Sequence, residues 1–165
     1  MTRAVTLRPA TPTDLPDIGR LIHGLAEYER LLHETTFSED DLRDALFGPL
    51  PRARVILAEA GGRPVGFALF YYSFSSFKAC SNIFLEDLYV EPAHRGVGIG
   101  LALMRHLAQG AMAENCRCIE WRVLNWNLPS IDFYQRLGAE TMQEWHTRQL
   151  GGDALAALAE GHSHG

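Results

Sequence analysis

The residue pattern predicts an α/β fold: a mixed, mostly antiparallel β-sheet flanked by helices, with one parallel strand–helix–strand crossover. Three observations carry this. Gly61-Gly62 separates two apolar runs, residues 54–60 and 63–72, as in an antiparallel hairpin. Paired glycines supply the positive φ angles that a two-residue turn requires. A further apolar run, residues 82–90, leads through a glycine loop into an apolar-periodic helix (99–113) and another strand (117–123). Such a unit forms a right-handed crossover between parallel neighbours. Finally, an early helix carries Ile18, Leu21, Ile22, Leu25 and Leu32 at helical spacing.

The other elements follow in order. Residues 5–8 alternate like a first strand. Asp14 can cap the early helix, with Pro16 tolerated in its first turn. Glu29 falls within that helix's apolar stripe and Tyr28 on its edge. An acid there either faces a cleft or marks where the helix has reached the surface. Ser38-Glu39-Asp40-Asp41 starts a second short helix that stops at Gly48-Pro49. Asn127 caps another, with Pro129 in its first turn and Gly138 just beyond its end. Residues 139–150 read as one or two closing strands. With no internal repeat and no linker, residues 1–150 read as a single domain. Residues 151–165 form a C-terminal extension, expected to be partly disordered, with His162 and His164 in its Gly/Ser/His-rich end.

At 165 residues the chain can bury a real core, and 47% hydrophobic with 21% charged residues is ordinary for a globular protein. No run approaches the roughly 18 apolar residues of a membrane span, and the N-terminus lacks a signal pattern. A cytoplasmic location is therefore expected, with no membrane partner. The net charge of −5 argues against a nucleic-acid partner, whose recognition needs a basic face. Cys80, Cys116 and Cys118 lack zinc spacing and read as packing residues in a reducing compartment, so no metal site is expected.

The most informative run is Glu91-Pro-Ala-His-Arg95-Gly96-Val97-Gly98-Ile99-Gly100. It joins a strand to a helix N-terminus, where unpaired N–H groups and the helix dipole favour an anion. Glycines let the backbone close on a phosphate or pyrophosphate, with Arg95 beside it as a forked cation. A Walker A loop would need Lys-Ser/Thr where Leu101-Ala102 stand. A dinucleotide loop would need its third glycine at 101 rather than 100, although Glu120 sits near the distance of its ribose-binding acid. A glycine turn without a ligand stays open as well.

Two further constellations could do chemistry. Glu86 and Asp87 are adjacent in the strand of residues 82–90, and a regular strand points them to opposite faces. Either one acid pairs elsewhere, or a β-bulge breaks the alternation and frees a backbone N–H for a developing oxyanion. Asn127, Ser130 and Tyr134 form a polar stripe on an otherwise apolar helix. With a pKa near 10, a tyrosine there could protonate a leaving thiolate or simply pack.

Arg95, Gly98 and Gly100 fit the Arg-x-x-Gly-x-Gly loop of the GNAT N-acetyltransferases. Phe84-Leu-Glu86-Asp87-Leu88-Tyr89-Val90 and Asn127-Leu128-Pro129-Ser130-Ile-Asp-Phe133-Tyr134 flank it in order. With Arg8-Pro9-Ala10 and Leu25-Ala26-Glu27-Tyr28-Glu29, they resemble the spermidine/spermine N1-acetyltransferase family, which includes thialysine N-acetyltransferases. The likeness covers about residues 5–150. It implies a GNAT-like sheet whose crossover carries the acetyl-CoA loop, acetyl-CoA as donor and a small cationic amine as acceptor. It assigns Leu88, Tyr89 and Val90 to the pantetheine arm. Gly96, Val97, Gly98, Ile99, Gly100 and Leu101 go to the pyrophosphate, and Asn127, Leu128, Pro129 and Ser130 to further cofactor contacts. Tyr134 would be the general acid. Tyr28, Glu29 and Glu86 would hold the acceptor, with Asp87 close by, and a further acid matches Glu144. A homodimer is implied. Protein-lysine acetylation and acyl-CoA binding without turnover are the alternatives.

Overall fold

The computed structural model describes residues 5–161, so His162 and His164 lie outside it. Residues up to Leu124 form one compact unit and residues from Asn125 a second. The first holds a five-stranded sheet in sequence order: β1 (Val5–Pro9), β2 (Arg54–Ala60), β3 (Arg63–Ser75), β4 (Cys80–Val90) and β5 (Ile119–Trp121). All neighbours are antiparallel except β4 and β5. The mixed sheet with one parallel crossover is the architecture that the sequence predicts.

Three helices complete this unit: α1 (Leu15–Tyr28), α2 (Glu39–Phe47) and α3 (Ile99–Ala113). The α1 stripe Ile18, Leu21 and Leu25 packs with Leu46 of α2 onto Val55, Leu57, Phe67 and Tyr89 of the sheet. On the opposite face Ile99 of α3 lies against Gly66, beside alternating residues such as Ala68 and Leu85 that are also buried. A sheet covered on both faces accounts for strands that read as continuous apolar runs. Arg8 binds both oxygens of Asp14 at 2.7 and 2.8 Å and Glu59 at 2.7 Å, joining β1, the start of α1 and β2. That guanidinium holds the Asp14 carboxyl well below the usual carboxylate range.

The Gly61-Gly62 turn has φ angles of 63° and 79°, with Ala60 paired to Arg63, as the hairpin requires. Several boundaries differ from the sequence reading. Helix α1 ends at Tyr28, so Glu29 is its C-cap and Leu32 lies in a separate turn, 48% exposed. Strand β3 runs on to Ser75 and β4 starts at Cys80, because Ser73↔Asn82 and Ser75↔Cys80 continue the ladder through a serine-rich segment that reads as loop. Strand β5 is only three residues long.

The second unit holds α4 (Leu128–Arg136) and α5 (Gly152–Ala159), the latter within the C-terminal extension. The closing strands expected over 139–150 are not formed. Local turns take up that backbone instead, with Gln143 N–H donating to the Thr141 carbonyl and Trp145 N–H to that of Met142. Strand preference is weak and depends on context, so a segment becomes a strand only when a sheet edge receives it.

Candidate active site

The site begins with an irregularity in β4. Leu69 of β3 pairs with Asp87 and Phe70 with Leu85, so Glu86 is an extra residue without a β3 partner. This is the β-bulge that the Glu86-Asp87 pair predicts. Paired residues share a face, and Leu69 packs into the α1-side core together with Tyr89. Asp87 therefore lies on the α1 face. On the other flank β5 pairs with β4 only through Ile83, Phe84 and Leu85. Among the described residues, no strand of the sheet runs beside Glu86 to Val90 on that side. Bulge and splay together leave that stretch of backbone available to a ligand.

The charges of two other carboxylates act on Asp87 at this point. Burial, then the charges of Glu86 and Glu29, pushes the Asp87 carboxyl up to about 7. Burial also raises that of half-buried Glu29. A carboxylate at the C-terminus of a helix sits at the wrong end of the dipole, so stability does not explain Glu29. Glu86 is exposed, with Arg122 Nη2 3.5 Å from its carboxylate and the guanidinium 5.6 Å from the Phe84 ring centre. The structure thus joins an acid from the first helix to both acids of the strand.

The glycine loop follows β4 directly. Gly96 and Gly98 have φ of 79° and 88°, and nothing lies within 4 Å of where a Cβ would stand on either. Both positions need glycine for their backbone, and both face open space. Gly98 is the N-cap of α3 and offers no side-chain acceptor. The first helical bond runs from Ala102 N–H to the Gly98 carbonyl, so the amides of Ile99, Gly100 and Leu101 have no acceptor within the helix. Open space, orphan donors and the positive dipole end fit a pyrophosphate.

Arg95, expected as a phosphate fork, is engaged within the protein. Its Nε donates to the Val90 carbonyl at 2.8 Å, and its guanidinium lies 4.8 Å from the Tyr28 ring centre and 5.4 Å from that of Tyr89. It ties the loop to the end of β4 and to the end of α1. Tyr89 itself is buried, and a Cβ on Gly24 of α1 would come within 2.8 Å of its hydroxyl. Glu91 clamps the exit of β4, accepting two bonds of 2.9 Å from Arg63 and another from Arg20. Sequence reasoning missed Gly24 and Glu91. An isolated glycine inside an apolar helix was the available signal for the first; Glu91 gave none.

In the second unit Asn127 is the N-cap of α4, its Oδ1 accepting from Ser130 N–H at 3.4 Å. Asn127, Ser130 and Tyr134 share one face of the helix by spacing. Tyr134 is half-buried, its ring centre 5.3 Å from that of Phe133. Leu128 and Pro129 are exposed, and Glu144 lies in an exposed turn. Among the described residues no cluster of three or more His, Cys, Asp or Glu could hold a metal, and no helix is long and apolar enough to cross a membrane.

The acetyltransferase (GNAT) family model matches residues 22–139, which run from the second half of α1 through α4 and include the bulge and the loop. The chain is a GNAT acetyltransferase. It is 39% identical to a thialysine N-epsilon-acetyltransferase of Bos taurus, covering 94% of this chain and 97% of that one. It is also 29% identical to an L-ornithine N5-acetyltransferase of Arabidopsis thaliana, over 92% and 86% of the two chains. Among solved structures, an integron cassette protein from the mobile metagenome of V. cholerae superposes with a TM-score of 0.79 at 29% identity. That match covers 94% of the acetyltransferase and 98% of the cassette protein.

Proposed function

We propose that the enzyme transfers the acetyl group of acetyl-CoA to a primary amine of a small cationic acceptor: a polyamine, a diamine or a lysine-like amino acid such as thialysine. The observation that carries this reading is the meeting of Glu29, Glu86 and Asp87 at the β4 bulge, beside the loop of free amides. A surplus of carboxylate suits an alkylammonium and does not suit a neutral arylamine. Relatives named for thialysine and L-ornithine acetylation agree with it.

Gly96 to Leu101 would bind the pyrophosphate, Leu88 to Val90 the pantetheine arm, and Asn127 to Ser130 further parts of the donor. Tyr28, Glu29 and Glu86 would hold the acceptor, with Asp87 close by and Glu144 as a further acid. Bound acetyl-CoA supplies an activated thioester carbonyl. An amine with a pKa near 10.4 cannot attack until a carboxylate has taken its proton. A β4 amide then steadies the oxyanion, and the Tyr134 hydroxyl protonates the departing thiolate. A cytoplasmic homodimer belongs to the same reading and rests on the family resemblance.

An acceptor screen tests it. Thiol release from acetyl-CoA is followed with spermidine, thialysine, lysine, small diamines, a neutral arylamine and a lysine-containing peptide. Turnover of cationic small amines above the others is expected, with KM raised in Glu29→Gln and Glu86→Gln. Preference for the arylamine or the peptide would refute it.

A further inference from the structure

The three acids cannot share one task, and the bulge separates them by position. Glu86 stands in solvent with its charge already partnered by Arg122. Glu29 belongs to the end of α1, not to the strand that would meet the acyl donor. Asp87 alone combines the α1 face with the stretch of β4 that no β5 residue covers, one residue before Leu88. We propose that Asp87 is the catalytic base, taking the proton directly from the acceptor ammonium while Glu86 and Glu29 retain the cation. This rests on the acetyl-transfer reading above and deepens it by assigning the proton.

The chemistry balances. The ammonium gives one proton to an Asp87 carboxylate oxygen, and the freed lone pair forms the new N–C bond. The C–S bond breaks as the tetrahedral adduct collapses. The thiolate gains a proton from Tyr134, the adduct's nitrogen returns its second proton to the Tyr134 oxygen, and Asp87 releases the first to solvent. A base must be strong enough to compete for an amine's proton. The groups acting on Asp87 are Glu86 from its own strand and Glu29 from α1, both anionic, and both strengthen its hold on a proton. Its rise from 3.8 to about 7 makes the uphill transfer about a thousandfold more favourable than for an ordinary aspartate.

The decisive test varies the acceptor's own basicity. Wild type, Asp87→Asn, Glu29→Gln and Glu86→Gln are assayed with 1,4-butanediamine and with its 2,2-difluoro analogue. Fluorine lowers the pKa of the neighbouring amine while the far ammonium is kept. A largely neutral amine has no need of a base. Asp87→Asn should lose about 100-fold or more in kcat with the parent diamine and only a few-fold with the fluorinated one. Its affinity for CoA should be unchanged by calorimetry, and the acidic limb of the wild-type kcat/KM profile near pH 7 should vanish. Equal losses on both diamines, or no loss, would overturn the assignment. So would selective rescue in Glu29→Gln or Glu86→Gln instead. A wild type that acetylates neither diamine and no other cationic amine would overturn the acetyl-transfer reading itself, and the base with it.

Discussion

Asp87→Asn should stabilise the protein while it disables the enzyme. The Asp87 carboxyl is pushed up to about 7 in the folded chain, against an ordinary value of 3.8. The folded state therefore holds a proton that the unfolded state has already released, and stability falls as pH rises between those two values. Three powers of ten at 1.36 kcal/mol each give a ceiling of about 4 kcal/mol above pH 7. A half-buried carboxylate keeps part of its hydration, which brings the expectation to about 2 kcal/mol. Asparagine preserves size and polarity but has no charge to desolvate beside Glu86 and Glu29. For a chain of this length the gain corresponds to about 4–8 °C in Tm. Melting curves of the two proteins at pH 5 and pH 8 decide the matter. The difference should grow with pH, since the wild type loses stability across that interval and the variant does not. A constant offset, or a variant that is less stable at pH 8, would show that Asp87 is not held as an unfavourable charge.

Three further changes test the neighbouring parts. Gly98→Val forces a β-branched residue to φ 88° at the α3 N-cap, so CoA affinity should fall at least tenfold in a folded protein; unchanged calorimetric binding would remove the loop from the donor site. Tyr134→Phe should lower kcat about 100-fold with KM little altered, and wild-type turnover under rate-limiting chemistry would make Tyr134 a packing residue. Gly24→Ala should drive a methyl into the Tyr89 hydroxyl, 2.8 Å from the new Cβ, costing about 1–3 kcal/mol. Because Arg95 stacks on Tyr89, donor affinity should weaken too, and a neutral change in both would show that Tyr89 is free to move.

The sequence made the fold legible wherever a local rule had a local cause. Paired glycines announced the β2–β3 turn, the 3.6 period announced α1 and α3, and Asn127 with Pro129 announced α4. The bulge was legible for a different reason: two adjacent acids in a strand conflict with the pleat, and breaking the pleat resolves the conflict. What was not legible depends on distant partners. Residues 139–150 read as closing strands, yet whether they pair depends on an edge elsewhere. The packing of Gly24 on Tyr89 and the clamp of Arg20 and Arg63 on Glu91 join residues about 30 to 70 positions apart. Asp87 was visible as one of two acids, but its distinction from Glu86 required knowing which residue the ladder skips.

The places where this chain departs from ordinary stability are the places where it can do chemistry. Glu29 sits at the disfavoured end of a helix, Glu86 interrupts a ladder, and Asp87 is half-buried beside like charges. Gly98 opens a helix without a capping side chain. By contrast, Arg8, Asp14 and Glu59 meet as a satisfied network in the same sheet, so charge as such is not the cause. Cations stand around this point: Arg122 beside Glu86, Arg95 across Tyr28 and Tyr89, Arg63 on Glu91. The cations fix the frame, and the charges that act on Asp87 inside it, Glu86 and Glu29, are both anionic. A cationic amine would supply the missing countercharge on arrival, so substrate binding and relief of that burial become one event. Acceptor affinity should then depend on the charge of the amine more than on the shape of the chain that carries it.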